Sequence, residues 1–147
     1  MEGPALVLRE VTREEIATVH ALWAESGLPF RAGGRDDPAL LAAGLRAART
    51  SLLGAFSGGD LIGAVLVTDD SRKGWINRLA VKPAFRRRGV ALALLRAAER
   101  LLGERGLGLA AALVEEGNDA SLALFAEAGY EARRDIVYLR RFLMPGW

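Results

Sequence analysis

Leu79-Ala80-Val81-Lys82-Pro83-Ala84-Phe85-Arg86-Arg87-Arg88-Gly89-Val90-Ala91 is the stretch that decides the fold. An apolar run ends at Val81, a proline turn follows, and the apolar periodicity predicts a long helix over residues 86–103 that opens on three arginines. A helix amino terminus carries about half a positive charge, so each cation there costs a few tenths to about 1 kcal/mol. Three arginines are the wrong charge pattern for a helix that binds nothing. An anion resolves the conflict, because free backbone N–H groups, the helix dipole and the guanidinium groups then converge on phosphate. Gly89 inside a helix costs about 1 kcal/mol relative to alanine, and its missing side chain lets a phosphate reach the backbone. The plainer alternative is a solvated basic helix start with an incidental glycine.

Upstream of this stretch, residues 5–11 read as a strand. Residues 13–26 read as a helix capped by Thr12 with Glu15 three positions on. Gly27 stops that helix, residues 27–38 form a long loop, and a second helix over residues 37–49 opens at Pro38. Residues 51–57 and 61–68 are strands joined at Gly58-Gly59-Asp60, and residues 74–81 are a third. Downstream, residues 107–114 form a continuous apolar strand of the kind that sits inside a sheet covered on both faces. A short helix over residues 118–128 follows, and residues 130–133 and 136–142 close the chain as a strand pair. The order is an antiparallel meander, then one crossover that makes two strands parallel. The fold class is α+β, or mixed α/β, with about four helices around a mostly antiparallel sheet.

The 147 residues are read as a single domain over 1–147. With 51% hydrophobic and 26% charged residues the chain is globular rather than disordered. The absence of cysteine excludes disulfides, Cys-ligated zinc, Fe–S clusters and a cysteine nucleophile, and no metal is expected. The apolar runs are too short to span a membrane, and the amino terminus lacks the order of a secretory signal. A soluble, cytoplasmic protein is therefore expected. Net charge is +2, with 18 arginines against two lysines. The bases are scattered and not interleaved with aromatics, which disfavours a nucleic-acid-binding module.

Arg86-x-x-Gly89-x-Ala91, following a strand that ends Leu-Ala-Val-x-Pro, resembles the acetyl-CoA-binding motif of the GNAT superfamily of N-acetyltransferases. Asn118-Asp-Ala-Ser121-x-x-Leu124-Phe125-x-x-x-Gly129-Tyr130 resembles the same superfamily's asparagine–helix–Gly-Phe/Tyr segment. The resemblance implies a GNAT-like fold with acetyl-CoA lying between two splayed parallel strands. The backbone of Leu79, Ala80 and Val81 would hold the pantetheine arm and the acetyl carbonyl. The amides of Arg87, Arg88, Gly89, Val90 and Ala91, with the side chains of Arg86, Arg87 and Arg88, would hold the pyrophosphate. Asn118 and Ser121 would reach the coenzyme, and Phe125 would pack against its thiol end.

Two positions depart from the family pattern. Phe125 stands where many members carry a tyrosine that protonates the departing thiolate, and Asn77 stands where many carry a glutamate that acts as base through water. Neither residue does that chemistry. Tyr130 and Tyr138 are the candidate acids, but each reads equally as a core or sheet aromatic. Glu115 and Glu116 are the candidate bases beside the turn carboxylates Asp69 and Asp70, and for all four solvated charge is the plainer reading. His20 and Trp23 share one helical face, where a lone histidine is usually a packing residue. In the family the link between the first two helices walls the acceptor pocket. Phe30, Arg31 and Arg35 lie there, and Asn77 faces it, so an acceptor bearing a carboxylate or phosphate is one expectation and bland loop charge the other.

The expected activity is transfer of an acetyl group from acetyl-CoA to a primary amine of a small molecule or a chain terminus. The alternative from another class is a coenzyme-binding protein with little turnover. A homodimer is compatible with the sequence.

Overall fold

The computed structural model describes residues 5–47 and 49–147. Five strands form one sheet in the order β1-β2-β3-β4-β5: Leu6–Glu10, Thr50–Ser57, Asp60–Asp69, Gly74–Val81 and Ala110–Ala112. All neighbours are antiparallel except β4 and β5, which are parallel, as the single crossover requires. Gly58 (φ +58°) and Gly59 (φ +87°) form the two-residue turn that places Ser57 opposite Asp60. Consecutive positive φ angles match a hairpin turn to the strand twist, and glycine reaches them without strain.

Four helices cover the two faces: α1 (Ile16–Glu25), α2 (Pro38–Arg46), α3 (Val90–Glu104) and α4 (Asp119–Glu127). On one face, Val19, Leu22 and Trp23 of α1 and Leu41 of α2 pack on Leu52, Ala64 and Ala80. On the other, Val90, Leu94, Leu95, Ala98 and Leu102 of α3, with Phe125 of α4, pack on Ile62, Val65, Val67, Ile76 and Val81. Each large side chain so buried contributes about 1.5–3 kcal/mol. A Cβ on Gly74 would collide with Leu102, so the glycine sets how closely α3 lies on β4.

Thr12 and Glu15 cap the first helix as expected, the Glu15 carboxylate accepting from the Thr12 N–H at 2.9 Å. The helix begins as a short 3-10 turn over Arg13–Glu15. Asp37 caps α2 through the Ala39 and Leu40 amides. The predicted continuation of α2 toward Arg49 stops at Arg46, and Ala48 lies outside the described residues.

Three expectations are corrected. The helix predicted from Arg86 begins at Val90, and Pro83–Phe85 forms a separate 3-10 turn. Arg87 (φ +63°) and Gly89 (φ +79°) adopt left-handed conformations that no α-helix contains, so the helix cannot start before them. The strand predicted over residues 107–114 shrinks to Ala110–Ala112 and forms an edge of the sheet, with Leu109 and Leu113 exposed. The closing strand pair over residues 130–133 and 136–142 does not form, and residues 131–146 are exposed. The last two corrections go together: without the pair beside it, β5 has no strand on its outer side among the described residues.

Candidate active site

The site is assembled at the carboxyl end of β4. Ala64 pairs with Ala80 and Leu66 with Asn77, so Arg78 and Leu79 together stand opposite Val65 as a bulge. Arg78 has φ +52°, an αL conformation that is strained for a side chain with a Cβ. On the opposite edge, β4 pairs with β5 only from Gly74 to Ile76. From Asn77 to Val81 that edge carries no strand partner among the described residues, which opens the gap between the two parallel strands. Ligands in sheets with parallel strands sit outside such carboxyl ends.

Below the gap, the Arg86–Gly89 turn leads into α3. The Arg86 amide donates to the Pro83 carbonyl, and the next amide along the chain with a backbone acceptor is that of Ala93, which donates to the Gly89 carbonyl. The amides from Arg87 to Leu92 lie between these two. With Arg87 and Gly89 both left-handed, the turn leaves these N–H groups free at a helix start, an arrangement suited to a phosphate. A Cβ built on Gly89 meets nothing within 4 Å, so the space before these amides is open. These residues fit a pyrophosphate.

The three arginines do not act alike. The Arg86 Nε donates to the Val81 carbonyl at 3.3 Å, and its Nη2 donates to the Ser26 carbonyl at 3.1 Å. Arg86 therefore fastens the end of β4 to the end of α1, where the sequence reading had given it to the phosphate. Arg88 lies over the Phe85 ring, and both Arg87 and Arg88 are exposed.

On the α4 side, Asn118 is the N-cap, its Oδ1 accepting from the Ser121 amide at 3.3 Å. Phe125 is buried, and the Tyr130 ring meets it edge-on with centroids 4.9 Å apart. The Tyr130 hydroxyl donates to Glu99 Oε2 at 2.8 Å, and burial, reinforced by that carboxylate, pushes its pKa above the usual tyrosine value. A hydroxyl whose proton is already held by a carboxylate is a poor donor to a thiolate. Tyr138 is exposed on the carboxyl-terminal segment, and Glu115 and Glu116 are exposed beyond β5. Asp69 is tied to Arg49 at 2.6 Å and to Arg105 at 3.4 Å, at the opposite end of β4 from the bulge.

On the α1 face, the Asn77 Nδ2 donates to Thr68 Oγ1 at 3.1 Å, an amide fastened across the hairpin. His20, Trp23 and Phe30 form an aromatic triangle with ring centroids 5.2–5.6 Å apart. The Nε2 of His20 and the Nε1 of Trp23 are buried without a hydrogen-bond partner among the described residues. Arg31 and Arg35 are exposed on the loop between α1 and α2.

Two residues that sequence reasoning missed hold this region together. Asp36, 3% exposed, accepts from Arg78 Nη2 at 2.7 Å and from the Arg31 amide at 2.8 Å, while Arg78 Nη1 donates to the Pro29 carbonyl. The signal was a charged residue inside a mostly apolar strand, Ile76-Asn77-Arg78-Leu79-Ala80-Val81.

Comparison with known proteins decides the lineage of this arrangement. Residues 16–130 match the acetyltransferase (GNAT) family. The chain belongs to that family. An acetyltransferase of Photorhabdus laumondii is 31% identical over 88 residues, covering 58% of this chain and 62% of its own. The match thus spans under two thirds of that relative's length. Among solved structures, the aminoglycoside N-acetyltransferase AAC(6')-Iy in complex with CoA superposes with a TM-score of 0.80 at 22% identity, covering 95% of this chain and 97% of that one. The ribosomal-protein-alanine N-acetyltransferase of Brucella melitensis gives a TM-score of 0.75 at 19% identity, covering 94% and 99%. At these identities the two structures share the fold. The chain's own mostly antiparallel sheet with one parallel pair agrees with the expected GNAT-like architecture.

Proposed function

We propose that this family member transfers the acetyl group of acetyl-CoA to a primary amine of a small molecule or a chain terminus. The observation that carries this reading is the run of amides from Arg87 to Leu92, which have no backbone acceptor among the described residues and lie beside the open space at Gly89. The Arg87–Leu92 amides take the pyrophosphate, with Arg87 and Arg88 adding charge. The open edge of β4 at Leu79, Ala80 and Val81 takes the pantetheine arm, and Phe125 backs its thiol end. Acetyl-CoA, when bound, supplies an activated thioester whose carbonyl is polarised by the bulge amides.

Holding the acceptor amine beside that carbonyl converts a bimolecular step into an effectively unimolecular one. A bond from the amine nitrogen to the acetyl carbon replaces the C–S bond, and the proton lost by nitrogen passes to solvent. A thiol with a pKa near about 8.5 can depart as the anion, so no tyrosine acid is needed at position 125. The acceptor enters on the α1 face beside the 28–36 loop, which Arg78 fastens to the bulge through Pro29 and Asp36. Aminoglycoside and ribosomal-protein acetyltransferases of the same fold both act on amines, which supports an amine acceptor.

A second reading rests on the same residues. Asn77 is fastened to Thr68, Phe125 has no hydroxyl, and Tyr130 holds its proton toward Glu99. Such a site binds the coenzyme with little turnover. Release of CoA thiol, assayed against amino acids, amino-terminal peptides, aminoglycosides and polyamines, separates the two. Acceptor-dependent release supports the transferase, and coenzyme binding without release across the panel supports the binder. A preferred polyamine would overturn the expectation that Arg31 and Arg35 select an anionic acceptor.

A further inference from the structure

Arg78 is the only residue of β4 with a positive φ, at +52°, a conformation that an unclamped arginine leaves for a more extended one. The torsions at residue 78 aim the peptide unit that follows, because φ and ψ are the two soft dihedrals of a backbone residue. That unit carries the Leu79 N–H, within the stretch of β4 that lacks a strand partner on its β5 side. Whatever fixes Arg78 therefore fixes the aim of this group.

The guanidinium is held by three neighbours. Its Nη2 donates to Asp36 Oδ2 at 2.7 Å, its Nη1 donates to the Pro29 carbonyl, and its Cζ lies 5.9 Å from the centre of the fully buried Trp23 ring. Asp36 is itself built in. Its Oδ2 also accepts from the Arg31 amide, and its own amide donates to the Arg31 carbonyl at 3.0 Å. The Asp37 amide donates to the Gly34 carbonyl at 3.0 Å, so the loop is closed on itself around a fixed carboxylate. Burying such a pair adds little stability over an apolar replacement of the same shape. What the pair does supply is a clamp on a strained torsion, and strain of this kind persists only where the surroundings over-determine it.

We propose that Asp36 is a positioning residue for the coenzyme. It acts through Arg78, keeping the bulge in the conformation that aims the Leu79 N–H at the bound thioester. The inference rests on the reading that acetyl-CoA lies along β4, and it adds a residue outside that strand on which the thioester end depends. The plainer alternative is that the ion pair only ties down the 28–36 loop. The two differ in what a glycine at position 78 does. Glycine takes a positive φ without a clamp, so a torsional role for Asp36 vanishes there, whereas a tie to the loop is lost whichever residue replaces the arginine.

Calorimetric binding of acetyl-CoA and of ADP to the full chain tests this. ADP reaches only the Arg87–Leu92 amides, so it reports the phosphate turn without the bulge. Asp36→Ala and Arg78→Ala should each weaken acetyl-CoA about tenfold and leave ADP within about twofold. Asp36→Asn keeps the size of the side chain and an acceptor oxygen; it should lose about threefold, and it takes the place of Asp36→Ala if circular dichroism shows that variant unfolded. Arg78→Gly should bind acetyl-CoA at least about threefold tighter than Arg78→Ala, and adding Asp36→Ala to Arg78→Gly should cost less than about twofold. Undiminished acetyl-CoA affinity in both Asp36 variants would overturn the proposal. So would an equal fall for ADP, or a loss that persists in the Arg78→Gly background. Wild type that binds ADP but not acetyl-CoA would remove the reading of β4 itself, and the proposal with it.

Discussion

Arg78 Nη2 lies 2.7 Å from Asp36 Oδ2, joining the bulge of the central strand to the loop between the first two helices. The same arginine is held in a left-handed backbone conformation, and its guanidinium also takes the Pro29 carbonyl. One residue thus forms part of the bulge with its backbone and fixes the wall of the proposed acceptor site with its side chain. Strain at a bulge beside a ligand site persists only when its surroundings over-determine it, and here a nearly buried ion pair does so.

Arg78→Ala strands a buried carboxylate and should cost about 2–4 kcal/mol in urea denaturation. Arg78→Gly loses the same ion pair but relieves the positive φ, so it should be more stable than the alanine variant by about 1 kcal/mol. Equal losses in the two variants would remove the backbone from the account.

Tyr130→Phe tests the proton donor. Loss of the hydrogen bond to Glu99 should cost about 1 kcal/mol of stability, and turnover should stay within about threefold of the wild-type rate. A fall of a hundredfold or more in kcat, the scale of a lost general acid, would reinstate Tyr130 as the catalyst.

Glu15 gives a pH dependence of known sign. Its hydrogen bonds from Arg9, and then those from Thr12, hold its pKa at about 2, below its ordinary value of 4.5. The folded form therefore gains stability from ionised Glu15 above pH 4.5, and that gain is lost as pH falls from there toward 2. Glu15→Gln should be less stable than wild type by about 1 kcal/mol at pH 7, and the two should converge as pH falls below 4. A gap that persists at pH 2.5 would assign the loss to packing.

Much of the scaffold was legible because local rules and the fold agreed. Gly58-Gly59, the Thr12–Glu15 cap and Pro38 after Asp37 each specify a turn or helix start by chemistry confined to a few residues. The site was legible only as a segment. The positive φ at Arg87 and Arg78 depends on tertiary contacts, so arginine, which avoids that conformation in isolation, gave no sign of it. The role of Arg86 was hidden because its acceptors, the Ser26 and Val81 carbonyls, lie on other elements. The apolar pattern at Ile136–Val137–Tyr138–Leu139 reads as a strand, but a strand needs a neighbour, and sequence pattern does not say whether that neighbour lies in the same chain.

Calorimetric titration of acetyl-CoA into wild type, Arg86→Ala, Gly89→Ala and Gly89→Glu tests the central claim that the backbone amides from Arg87 to Leu92 hold the coenzyme. Gly89→Ala meets no steric obstacle but strains the positive φ, so it should lose about 1–2 kcal/mol of stability and only part of its affinity. Gly89→Glu sets a carboxylate against the amides and should weaken binding at least about a hundredfold, well beyond the effect of Arg86→Ala, provided its circular dichroism matches that of Gly89→Ala. Undiminished affinity in a folded Gly89→Glu would contradict the account, because the coenzyme would then bind elsewhere.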